Sequence, residues 1–300
     1  MAWQIDYDRL AKAVGQTIAA ASTRIPADIA SALEQAFQRE HQAASKSALG
    51  FILENNKLAA KEQTPICQDT GYPTFFIALP GWADKDRIRA LISQELAVAT
   101  EVALLRPNSV DPSTGKNPGD NSGLFYPSIY FTDVDDGAIT VQVLLKGGGS
   151  ENVSAQYKLP DSGLGAGRDL EGVRKIVLHA VLEAQGFGCA PGVLGVAIGA
   201  DRAQGYALAK KQLLRPLSDS SSDPELAALE SRLLAEANQL DIGSMGFGGA
   251  TTVLGVKAVK AHRHPASYFV TVAYGCWALR RKKLVFTDTE HTISDQGVTS

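Results

Sequence analysis

The spacing of apolar residues changes once along this chain, and that change limits what it can fold into. Over residues 1–60, Leu10, Val14 and Ile18, then Ile29, Leu33 and Phe37, recur at three-to-four spacing, the stripe of amphipathic helices. Pro65 ends this region. Short β-rich runs then alternate with helical ones. A strand is expected over 73–79, closed by Pro80-Gly81, and a helix over 84–105, stopped before Pro107. Strands over 127–134 and 138–145, joined by Asp135-Asp136-Gly137, read as a hairpin. A helix over 169–185 with Gly186 just past its end, a strand over 193–198 and a helix over 201–214 follow. The polar loop 218–223 leads to Pro224 in the first turn of a further helix, and strands are expected near 252–259, 268–274 and 283–286. The pattern predicts a mixed α/β (α+β) fold: a helical N-terminal segment, then mixed β-sheet layers flanked by helices. No linker, repeat or low-complexity tract interrupts residues 1–300, so a single domain is expected.

Charge and composition narrow the function. The net charge is -3, with no basic excess to favour nucleic acid or anionic lipid. No apolar run approaches the roughly 20 residues of a membrane helix. Met1-Ala2-Trp3-Gln4-Ile5-Asp6 lacks a cationic–apolar signal pattern, so a cytoplasmic chain is expected. No G-x-G-x-x-G follows a predicted strand and no G-x-x-x-x-G-K-[ST] occurs, which argues against nicotinamide and nucleoside triphosphate chemistry.

The three cysteines sit in polar, turn-forming motifs: Pro65-Ile66-Cys67-Gln68-Asp69-Thr70-Gly71, Gly186-Phe187-Gly188-Cys189-Ala190-Pro191-Gly192 and Tyr274-Gly275-Cys276-Trp277. An odd count in a reducing compartment favours thiols or metal ligation over disulfides. Three thiolates can hold three irons of a 4Fe–4S cluster and leave the fourth open to substrate. Without a C-x-x-C, the same count also fits three unrelated cysteines. Other residues carry matching chemistry. Gln68 can orient a carboxylate, and Asp69 can move a proton. Arg106, where the long helix is expected to end, can grip a carboxylate at two points or simply complement the helix dipole. Lys146-Gly147-Gly148-Gly149-Ser150-Glu151-Asn152 follows a buried strand and reads as an anion cradle, or as a hinge. His264, in His262-Arg263-His264-Pro265, can serve as acid or base or be a structural histidine. One strand separates it from Cys276 and carries it toward the opposite end.

Taken in order, Cys67-Gln68-Asp69-Thr70-Gly71, Leu105-Arg106-Pro107-Asn108, the segment 146–152, Ile242-Gly243-Ser244-Met245-Gly246 through Thr251-Thr252-Val253-Leu254-Gly255-Val256, and Arg263-His264-Pro265 with Gly275-Cys276-Trp277 resemble the iron–sulfur hydro-lyases of the class I fumarase and L-(+)-tartrate dehydratase type. The likeness is to the α subunit, or to the N-terminal part of single-chain enzymes. It implies that Cys67, Cys189 and Cys276 ligate a 4Fe–4S cluster with one open iron, their sulfurs within roughly 6–7 Å of one another. It implies acid–base and hydroxyl-handling roles for Asp69 and His264, and substrate carboxylates held by Gln68, Asp69, Arg106, Lys146, Gly149 and Asn152. Cys189-Ala190-Pro191 departs from the more usual cysteine followed by two prolines. No complementary Lys/Arg group and base are evident in residues 1–300, so the resemblance implies a separate β subunit and an α2β2 assembly. The implied substrate is a small dicarboxylate, fumarate/malate first, with L-(+)-tartrate or a methylated fumarate next. From a different class, the chain would be a non-catalytic cluster- or metal-binding subunit.

Overall fold

The computed structural model describes residues 4–135 and 137–295. Residues 1–3, Asp136 at the tip of the expected hairpin, and residues 296–300 lie outside the described residues. Backbone contacts divide the chain into two compact units, each discontinuous in sequence, which is why no linker marks them. One takes in 4–26, Asn55–Gly147 and 280–295; the other takes in Ala27–Glu54 and Gly148–Leu279. The helical start is as expected: α1 (Tyr7–Thr23), α2 (Ala27–Arg39) and α3 (Ala43–Glu62).

The first unit is a five-stranded mixed sheet in the order β2-β1-β3-β8-β9, with β1 at Tyr72–Pro80, β2 at Ser128–Val134, β3 at Ile139–Lys146, β8 at Arg280–Phe286 and β9 at His291–Ser294. Asp6 caps α1 by accepting from the Arg9 N–H at 3.0 Å. Asp84 likewise caps α4 (Lys85–Glu101) through the N–H groups of Asp86 and Arg87. Leu10, Val14 and Ile18 of α1 and Ile88, Ile92 and Leu96 of α4 are buried with Phe75, Ile77 and Val143 of the sheet. Each such side chain contributes up to about 1.5–3 kcal/mol. α4 stops at Glu101, earlier than expected, because Ala103 takes a left-handed φ of 60° and the Leu104 and Leu105 N–H groups fold back to the Ala99 carbonyl. The expected hairpin does not form. β2 and β3 do not pair; β1 lies between them, parallel to β2 and antiparallel to β3. β1 is almost wholly buried and takes the interior place, while β2, with Tyr130, Thr132 and Asp133 exposed, is fit for an edge. β9 forms beyond the last strand expected from the sequence, near 283–286.

The second unit is a four-stranded sheet in the order β4-β7-β5-β6, with β4 at Ala155–Lys158, β5 at Gly192–Gly199, β6 at Val253–Ala261 and β7 at Phe269–Gly275. β5 is buried along its whole length, parallel to β6 and antiparallel to β7. The helices α6 (Leu170–Ala184), α7 (Arg202–Gln212) and α8 (Pro224–Asn238) start at the caps Asp169, Asp201 and Asp223. Two details differ from the sequence reading. Gly148–Asn152 forms a short helix, α5, in place of an open glycine cradle. At the end of α6 it is Gln185, not Gly186, that takes the positive φ, 43°; the chain then makes a 3-10 turn over Gln185–Gly188. Among the described residues no helix is long and apolar enough to cross a membrane.

Candidate active site

In the first unit the Cys67–Gly71 turn and the Arg106–Asn108 segment form one structure, and Thr70 joins them. Its buried hydroxyl accepts from the Arg106 N–H at 2.9 Å and from Asn108 Nδ2 at 3.1 Å; Asn108 Nδ2 also donates to the Gly71 carbonyl at 3.2 Å. Asn121, buried and at φ 59°, donates to the Arg106 carbonyl at 2.8 Å and accepts from the Asn108 N–H at 2.8 Å. This bracing holds Arg106 out into solvent beside Gln68, on a cavity of about 460 Å³ whose wall includes Cys67, Gln68, Thr70 and Arg106. Preorganised bracing of this kind keeps a carboxylate site from spending its binding energy on ordering loops.

Asp69 lies behind that wall. Its Oδ1 accepts from the Gly71 N–H at 3.0 Å, and its carbonyl accepts from Arg280 Nη1 at 2.6 Å. A Cβ on Gly147 would come within 2.9 Å of Asp69 Oδ2 and 3.8 Å of Arg280 Nη2, so only glycine leaves room there. Lys146 precedes it at the end of β3, buried and opposite Tyr72. Arg280 is 1% exposed, and its Nε has no hydrogen-bond partner among the described residues. Arg280 is thus a buried guanidinium against the Asp69 turn, a residue the sequence reading did not single out. The run Arg280-Arg281-Lys282-Lys283 was its only sequence signal, and such a run ordinarily reads as a solvated strand face.

The second unit carries the other two thiols, and they stand together. Cys189 takes a left-handed conformation, φ 54° and ψ 61°, and its carbonyl accepts from the Trp277 N–H at 3.1 Å, which sets it beside Cys276. The Ala190 carbonyl accepts from the Met245 N–H at 2.9 Å, and a Cβ on Gly186 would strike the Met245 carbonyl at 2.5 Å. The segment 242–249 is thus the buttress of the Cys189 loop. It is anchored in turn by Glu40, 1% exposed, whose carboxylate accepts from the Ala250, His41 and Gln42 N–H groups. Gly149 lies near the same loop, an added Cβ meeting the Phe187 carbonyl at 3.6 Å; Asn152 is exposed at the end of α5. Tyr274 is packed against the Cys189 loop at Gly188 and Gly192. Burial pushes its phenol far above the usual range, and the Cys276 and Cys189 thiols push the same way.

His264 does not join them. It lies before β7, whereas Cys276 follows that strand, so the strand's length separates the two. There His264 is exposed and its Nδ1 accepts from the Ala266 N–H at 3.1 Å, within a turn that Arg263 closes on the carbonyls of His264, Pro265 and Ser267. None of the three cysteines is in a disulfide. Among the described residues no three ligand-type side chains are gathered as a metal site.

The family model described as fumarate hydratase (Fumerase) matches residues 11–285, and the chain belongs to that family. The class I fumarate hydratases are an iron–sulfur family. The chain is similar to a protein of Geobacillus stearothermophilus provisionally named fumarate hydratase class I, with 48% identity over 279 residues. That match covers 91% of the chain but 54% of the relative, so the chain spans about half that protein's length. It is 39% identical to a Methanocaldococcus jannaschii protein provisionally named L(+)-tartrate dehydratase subunit alpha, over 87% of the chain and 92% of the relative. It is 30% identical to the L(+)-tartrate dehydratase subunit alpha of Escherichia coli K12, over 96% of each.

Proposed function

We propose that the chain is the α-type part of an iron–sulfur hydro-lyase that adds or removes water on a C4 dicarboxylic acid, fumarate/malate first. The observation that carries this reading is the Thr70 junction, which sets a thiol, an amide and a guanidinium on one cavity with the Asp69 carboxylate behind it. Cys67, Cys189 and Cys276 are the ligands proposed for a 4Fe–4S cluster. The donor set suits it: three cysteines outside any disulfide, in glycine-flanked turns, two of them in segments joined by the Trp277 N–H to Cys189 carbonyl bond and close to the buried Tyr274 hydroxyl, which has no partner among the described residues. When bound, such a cluster supplies an open iron, a Lewis acid that makes a substrate hydroxyl a better leaving group.

The chain's own residues do the rest. Arg106 and Gln68 take one substrate carboxylate, and Lys146, Gly149 and Asn152 serve the same binding role. Asp69 exchanges the proton, with Arg280 fixing its backbone. His264 enters this scheme as an expectation of the family likeness alone, since its own strand carries it away from Cys276. A separate β subunit, in an αβ or α2β2 assembly, would supply the remaining groups, and a cytoplasmic setting would keep the thiols reduced. L-(+)-tartrate is the second reading, favoured by the end-to-end match to tartrate dehydratase α subunits. The test is anaerobic reconstitution of the chain, co-expressed with its partner, followed by assays on C4 and C5 hydroxy acids. Absorbance at about 400 nm and turnover of malate or tartrate are expected. A protein that takes up no iron and sulfide would refute the reading.

A further inference from the structure

We propose that Tyr274 donates a hydrogen bond from its phenol to the sulfur of Cys189 or Cys276 and so tunes the iron–sulfur group; this rests on the cluster reading above. The ring is placed deliberately. A Cβ on Gly188 would meet it at 2.6 Å, and a Cβ on Gly192 would meet its hydroxyl oxygen at 2.6 Å, so the loop that carries Cys189 wraps the phenol closely and only glycines permit it. Tyr274 is 1% exposed, and its hydroxyl has no hydrogen-bond partner among the described residues. A buried hydroxyl without an acceptor is a cost that phenylalanine would avoid at the same volume. Tyr274 lies at the end of β7 with Cys276 just past it, while Cys189 is held beside Cys276 by the Trp277 N–H. Thiolate sulfurs are the acceptors at hand. A phenol O–H directed at a ligating sulfur withdraws electron density from it, which raises the reduction potential of the group it holds.

The experiment compares Tyr274→Phe with the parent, and with Tyr157→Phe as a half-buried tyrosine control in the same unit. Without cluster, Tyr274→Phe should melt at the same temperature or higher. With cluster, its midpoint potential should shift negative and its cluster should be lost to chelator several-fold faster, with Tyr157→Phe unchanged in both. A cluster that assembles with an unshifted potential overturns this inference alone. No cluster in the parent overturns the cluster reading and this inference with it. Should Tyr274→Phe alone take up no cluster, cobalt(II) bound to the cluster-free protein gives the same comparison. Loss of the donor then moves the thiolate-to-metal charge-transfer band to lower energy, and an unmoved band overturns the proposal.

Discussion

Thr70 shows how one side chain can set a site without touching substrate. With its hydroxyl taken by Arg106 N–H and Asn108 Nδ2, it fixes the backbone from which Arg106 reaches the cavity it shares with Gln68 and Cys67. On the proposed assignment, Arg106 serves binding and Asp69 proton transfer, and substitution should separate the two. Asp69→Asn should leave cluster absorbance intact and lower kcat by about 10²–10⁴-fold, the usual worth of a positioned acid–base group. Near-normal turnover in that variant would remove Asp69 from the mechanism. Arg106→Met should act mainly on KM, raising it by the loss of a charge-assisted contact worth about 1.5–3 kcal/mol. A fall in kcat with KM unchanged would show that Arg106 acts in the transition state only.

Among the elements, α6 and α8 of the second unit are tied by a four-charge network away from the thiols. Arg174 bridges Glu171 at 2.5 Å and Glu236 at 2.6 Å, and Arg232 bridges the same two carboxylates at 3.1 and 2.9 Å. The hydrogen bond from Arg174 lowers the Glu171 carboxyl from 4.5 to about 2, with burial opposing and the charges of Arg174 and Arg232 assisting. A carboxylate depressed on folding contributes stability that is full above its unfolded value and is lost as pH falls toward the folded one. The network should therefore weaken between pH 4.5 and about 2. Glu171→Gln should flatten that part of the melting-temperature profile, meeting the parent at low pH and lying modestly below it at pH 7, a small difference because exposed pairs are screened. A variant profile parallel to the parent's across that window would rule the linkage out.

For the molecule as a whole, the chain is expected to be catalytically incomplete. The cluster-loaded chain alone should show little hydratase activity until the β-type partner is added, and full activity without it would mean that the base lies among these 300 residues. Much of the architecture was legible locally. The three-to-four stripes of Leu10, Val14 and Ile18, the Asp caps before α4, α6, α7 and α8, and the glycine-flanked thiols are each set by a few neighbouring residues, so their pattern survives in one dimension. The segments of the site were legible too, but not their joining. β1 displaced β2 from its expected hairpin partner because burial of its whole length outweighed a turn signal at 135–137. The sequence reading assigned no role to Arg280 or to Tyr274. Their roles come from residues 211 positions away at Asp69 and from the Cys189 loop, and such proximity arises only when strands distant in the chain pair and exclude water. Local chemistry and periodicity belong to the sequence; which hydroxyl, carbonyl or thiol a buried donor faces is decided by packing.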